Sequence, residues 1–133
     1  MGKPAPDFET AFRAWLKTAL LSEEIPEEVE AFALRIFQTD TQENRFGIEL
    51  YGAGEFSADH DDWVFDEIWE PAARRLPIDD AFAGGNWEKC LAKTRTLLGE
   101  TIESESEIAR VLTSRQGMGI GYEDREFEVL EFE

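Results

Sequence analysis

The run AFALRIFQTDTQENRFGIELYG, residues 31–52, constrains the fold more than any other part of the chain. Phe32, Leu34 and Ile36 alternate with Ala33, Arg35 and Phe37, and a period of two puts one set of side chains on each face of a strand. DTQEN supplies turn residues. Phe46, Ile48 and Leu50 then alternate with Gly47, Glu49 and Tyr51, so the segment predicts a β-hairpin with apolar groups on both faces. Such a strand is expected to be partly covered on both faces. The apolar groups around Phe37 fit a fuller core or a dimer face equally well, so the oligomeric state stays open.

Helical periods flank the hairpin. Phe8, Phe12, Trp15, Ala19 and Leu20 fall at steps of three and four and form one stripe, with Pro6 or Asp7 placed to open the helix. Asn86 stands at a cap position before Trp87, Cys90, Leu91, Thr94 and Leu98, which share a helical face. Ser104 and Glu107 have capping-box spacing, which predicts a break over Gly99 to Glu103 and a second helix through Ile108, Val111 and Leu112. ARRLPIDDAFAGG reads as loop, punctuated by Pro77 and Gly84-Gly85. The final GMGIGYEDREFEVLEFE predicts two strands joined by an acidic turn. Gly117, Gly119 and Gly121 lie two apart with no helix after them, which excludes a dinucleotide-binding loop. They leave one strand face bare, so a large side chain or another backbone can lie flat against it. The expected fold is α+β: an antiparallel sheet of about four strands, with an N-terminal helix and one or two further helices on one face.

The chain has 133 residues, which fits one domain over 1–133. Its apolar content of 42% is too high for a disordered chain. A formal charge of −17 exceeds what solubility alone asks for, repels phosphate backbones and anionic lipid, and draws in cationic proteins. Direct nucleic-acid and membrane partners are therefore not expected. No apolar run of membrane-spanning length is present, MGKPAPDFETAF lacks the apolar segment of a secretory signal, and the single cysteine cannot form an internal disulfide. A cytoplasmic protein is the expectation.

Catalytic patterns are weak. His60 is the only histidine, and with Cys90 on an apolar helix face it cannot complete a zinc site. Asp59, Asp61 and Glu70 take places 1, 3 and 12 of a would-be calcium loop, but Trp63 and Val64 stand where an oxygen ligand and a glycine are needed. Cys90 beside Trp87 and Leu91 has the setting of an inert packed thiol. With 30 Asp and Glu, a carboxylate pair at almost any separation carries no information. The reading is of a binding protein without enzyme activity, metal or cofactor.

GEFSADHDDWVFDEIWEP, residues 54–71, carries seven carboxylates, no Lys or Arg, and six large apolar side chains. Val64, Phe65, Ile68 and Trp69 have helical spacing, which predicts a short amphipathic element with Asp62, Trp63, Asp66, Glu67 and Glu70 outward. Asp59, Asp61, Asp62, Asp66, Glu67 and Glu70 are then expected to form one anionic face held by the aromatics beneath it, with Trp63 or Trp69 as an anchor. The candidate partner-binding set is Asp59, Asp61, Asp62, Trp63, Asp66, Glu67 and Glu70.

IELYGAGEFSADHDDWVFDEIWEP, in which a strand runs into an acidic turn, and the late glycine-bearing strand pair GMGIGYEDREFEVLEF together resemble small acidic immunity proteins of bacterial polymorphic-toxin and contact-dependent inhibition systems. That resemblance implies a cytoplasmic inhibitor that binds and neutralises a cognate toxin domain, and among individual residues it reaches the Asp61-Asp62-Trp63 turn. A nuclease must carry cations for phosphate, so a basic nuclease domain covered at its active groove is the expected partner. The alternative is a general polyanion mimic or acidic adaptor in a housekeeping assembly, whose binding disappears steeply with salt.

Overall fold

A computed structural model of the chain describes residues 8–39, 45–104, 106–123 and 125–132. The DTQEN turn from Asp40 onward, and Pro6 and Asp7, lie outside the described residues. Helix α1 spans Phe8–Leu21 and buries Phe8, Phe12, Trp15, Leu16, Ala19 and Leu20, the stripe that its apolar spacing predicts. β1 (Ala31–Gln38) and β2 (Phe46–Ala53) form the hairpin, antiparallel, with Arg35 opposite Glu49 and Phe37 opposite Gly47.

The rest of the sheet departs from expectation. It has six strands and is mixed: β5 (Gly117–Tyr122) lies parallel to β1, and β6 (Glu128–Glu131) closes that edge antiparallel to β5. Beyond β2 the other edge is shared by β3 (Glu67–Trp69) and β4 (Arg75–Ile78), each antiparallel to β2. β4 and the one-turn helix α2 (Asp80–Ala83) occupy the stretch read as loop. Pro77 is tolerated because β4 is an edge strand, where a missing N–H leaves no ladder bond unmade on the open side. The two glycines after α2 do make the turn, Gly84 and Gly85 having φ of 80° and 94°.

Helix α3 runs unbroken over Trp87–Glu103, so Gly99 to Glu103 continue it and do not separate two helices. Asn86 caps it by accepting a hydrogen bond from the Lys89 amide. The cap of α4 (Glu107–Leu112) is Ser106, whose hydroxyl accepts from the Ala109 amide at 3.2 Å; Ser104 instead donates to the Thr101 carbonyl. Capping-box spacing pointed two residues too early because both serines sit in the same turn.

The inner face of the sheet, Phe32, Leu34, Ile36, Ile48, Leu50, Met118 and Ile120, forms one buried core with α1, α3 and α4. Trp15 fixes the helix to the sheet edge by donating to the Ala73 carbonyl at 2.7 Å. Cys90 lies fully buried in this core, and burial pushes its thiol up to about 11, the setting of a packed and unreactive sulfur. A second, smaller cluster lies on the outer face: Ala31, Ala53, Trp63, Val64 and Phe127, with Phe56 and Val129 against it.

Candidate partner-binding site

The outer face explains where the acidic stretch goes. Gly117, Gly119 and Gly121 present bare backbone there, and each is covered as their spacing predicts: Gly117 by the Phe56 ring, Gly119 by Trp63 and Val64, Gly121 by Phe127. A Cβ on Gly119 would stand 3.1 Å from both Trp63 and Val64, so the indole reaches its depth only over glycine. Phe56 packs on the indole with ring centroids 5.1 Å apart.

Polar contacts then fix the segment. The Tyr51 hydroxyl donates to the Val64 carbonyl at 2.7 Å, and the Trp63 indole donates to the Ser57 carbonyl at 3.1 Å. Asp61 accepts from the Phe127 amide at 2.8 Å, joining the acidic stretch to the start of β6. Tyr51 is buried, and burial raises its hydroxyl to about 12, so it stays a neutral donor. The result is a 3₁₀ helix over Asp62–Phe65 that turns into β3.

This overturns the expected orientation. Trp63 is 1% exposed and points inward, while Phe65 is 73% and Ile68 46% exposed. Helical spacing misled because a single 3₁₀ turn followed by a strand changes period within a few residues. Trp69 is half-buried, edge-on to Phe32 at 6.2 Å, and belongs to the inner core. Neither tryptophan is a projecting anchor. Phe65 is.

The acids divide into three groups. Asp61 is held by the Phe127 amide. Glu67 and Glu70 both pair with Arg74, whose Nη1 lies 2.5 Å from Glu67. Asp59, Asp62 and Asp66 are exposed, and among the described residues no hydrogen bond or ion pair engages their carboxylates. Asp66 and Ile68 lie side by side over Gly54, where a Cβ would meet both. The set therefore stays on one pinned segment, but only part of it is available to a partner.

Sequence reasoning missed a second polar centre. Glu49 is 1% exposed on the outer face, yet three guanidinium groups converge on it: Arg35 through Nε at 2.6 Å, and Arg74 and Arg75 through Nε at 3.1 Å each. Burial alone would raise its carboxyl; hydrogen bonds from Arg74 and Arg75 and the charge and hydrogen bond of Arg35 outweigh this and hold it below the ordinary carboxylate range. Arg74 is held strongly protonated, first by its hydrogen bond to Glu67 and, against the cost of burial, by Glu49 as well. The readable signal was the hairpin register, which sets Arg35 opposite Glu49.

Among the described residues no group of three or more His, Cys, Asp or Glu is placed to hold a metal ion, and no helix is long and apolar enough to cross a membrane. His60 is exposed. Comparison with known proteins gives no match: no family model, no curated protein and no solved structure matches this chain.

Proposed function

We propose that this chain is an immunity-type inhibitor that neutralises a basic toxin domain, of the nuclease class, by seating the Asp62–Phe65 turn and its neighbours on the toxin's cationic groove. The observation that carries this reading is Phe65: a phenyl ring 73% exposed on a turn that Trp63, Val64 and Asp61 pin from below. A large aromatic group held rigidly in water has little to gain within the chain, and a partner that buries it gains apolar area with little loss of side-chain freedom. Asp59, Asp62 and Asp66 around it supply the charge that steers a cationic partner, and the formal charge of −17 raises the encounter rate. The resemblance of the acidic turn and glycine-bearing strands to immunity proteins supports the same reading, and the proposed site of action is the cytoplasm.

The exposed ring favours a dedicated inhibitor over a polyanion mimic, because an apolar anchor keeps its contribution when salt screens the carboxylates. The test is to mix the chain with the toxin domain encoded beside its gene and to measure toxin activity and complex formation at low and high salt. The expected result is a stoichiometric complex that survives high salt and silences the toxin, and that Phe65→Ala weakens by about thirtyfold or more. An active toxin with no complex on a sizing column refutes the reading.

A further inference from the structure

β6 is the last strand on its side of the sheet, bonded to β5 and to no other strand. Phe132 donates to the Gln116 carbonyl, and hydrogen-bonded pairs alternate along an antiparallel ladder, so Leu130 and Glu128 also turn their main-chain groups toward β5. The amides and carbonyls of Val129 and Glu131 then point the other way. Among the described residues no hydrogen bond engages them. The Phe127 amide, two residues earlier, is already taken by the Asp61 carboxylate, so the chain caps the start of this edge and leaves the rest open.

A groove lies on each face beside this edge. Between α3 and β6 a groove of about 530 Å³ has Trp87, Leu91 and Ile120 as its apolar floor, with the Arg95–Glu128 ion pair in its wall. On the outer face a groove of about 430 Å³ is lined by Asp59, His60, Asp61, Phe127 and Val129. Successive side chains of a strand laid along β6 point to opposite faces, so one set meets the apolar floor and the other meets the acidic groove. The edge is negative: Arg95 offsets Glu128 and Arg125 lies over the Trp87 ring, while Asp59, Glu126 and Glu131 have no ion pair among the described residues.

We propose that the open edge of β6 docks an extended segment of a partner protein, one that alternates apolar side chains with Lys or Arg and adds itself to the sheet as a further strand. The free main-chain groups of Val129 and Glu131 supply the affinity, and the two grooves select the side chains: apolar groups toward Trp87 and Leu91, cations toward Asp59 and Asp61. A second copy of this chain is the wrong occupant, because pairing β6 with itself runs Glu128 and Glu131 of one chain along those of the other. The inference does not rest on the Phe65 turn. It uses main-chain groups which that turn leaves untouched, and its test contains no toxin.

The test adds a short capped peptide of alternating lysine and valine, N-methylated on every second residue so that only one edge can pair, and follows backbone amides by NMR and hydrogen exchange. The expected result is saturable binding with slower exchange at Val129 and Glu131 and little change at Leu130, which is already bonded to β5. A glutamate–valine peptide of the same pattern should bind about tenfold more weakly, and the lysine peptide methylated at every amide should not bind. Glu131→Pro removes an outward N–H and leaves the β5 ladder intact, so it should weaken binding by about tenfold or more at an unchanged melting temperature. No saturable binding, equal binding of the acidic or the fully methylated peptide, protection at Asp62 to Phe65 in place of β6, unchanged affinity in Glu131→Pro, or a dimer of the free chain that covers Val129 and Glu131 each overturn the proposal. Any of these leaves the inhibitor reading standing, since that is tested with the toxin domain and Phe65→Ala.

Discussion

The two halves of the outer sheet face are closed by different physics. Over β5 and the start of β1, Trp63, Val64, Phe56 and Phe127 lie on three glycines, and the closure is apolar packing on bare backbone. Over β2 and β4, a buried carboxylate is held by three arginines, and the closure is ionic. The acidic segment touches both: its 3₁₀ turn rests on the apolar half, and Glu67 and Glu70 reach the ionic half through Arg74. The difference teaches that the apolar half fixes where the segment sits, while the ionic half makes its far end responsive to pH and salt.

The largest expected effect breaks the apolar half. Trp63→Ala removes a buried indole over glycine, where nothing nearby can fill the space, and should cost about 4 kcal/mol in urea unfolding, with little dependence on salt. A loss that shrinks markedly in high salt would mean that the halves are not distinct.

Glu49→Gln tests the ionic half and should cost about 3 kcal/mol at neutral pH, because three guanidiniums are left around a neutral amide. Glu49 has a folded-state pKa below its ordinary 4.5, so its contribution is fully present above that value and is lost as pH falls through the depressed one. The gap in urea midpoint between wild type and Glu49→Gln should therefore be constant from pH 7 to about 5 and close in more acid solution. A gap independent of pH would assign the loss to packing.

Arg74→Gln should cost less, about 1 to 2 kcal/mol, and should act locally, since Arg74 ties Glu67 and Glu70 to Glu49. Amide exchange should speed up at β3, including the Gly54 amide bonded to the Asp66 carbonyl, before it does at β1. Uniform acceleration would show that the two halves open together. The smallest effect is expected of Phe65→Ala, within about 0.5 kcal/mol of wild type, because the ring packs on little of its own chain. A loss well above that would make Phe65 a structural residue and remove the anchor from the proposed interface.

The sequence made local structure legible wherever one period persisted. The α1 stripe, the alternation in β1 and β2 and the Asn86 cap depend on neighbours within a few residues, and all are present; the glycine spacing of β5 likewise showed a bare strand face, though not which distant side chains cover it. Pairing between distant strands was not legible: nothing in Gly117–Tyr122 indicates that it lies parallel to β1, because that choice is made by how the chain crosses over through α3 and α4 before it. β4 was hidden by Pro77, which an edge strand accepts. In the site, the acidic segment and its anchoring by aromatics could be read. The inward turn of Trp63 could not, since it is set by Gly119, Ser57 and Tyr51 on other parts of the chain.

The parallel neighbour of β1 has a consequence for synthesis on the ribosome. The β1–β2 hairpin emerges early, but the other edge of β1 can be satisfied only when Gly117–Tyr122 has been made and has crossed over the helices. Until then Phe32, Leu34 and Ile36 belong to a strand with one open ladder edge, which is the kind of edge that recruits a foreign strand. Slow translation between Trp87 and Arg115 would lengthen that interval, so yield of folded protein should depend on codon choice in α3 and α4 more than in α1.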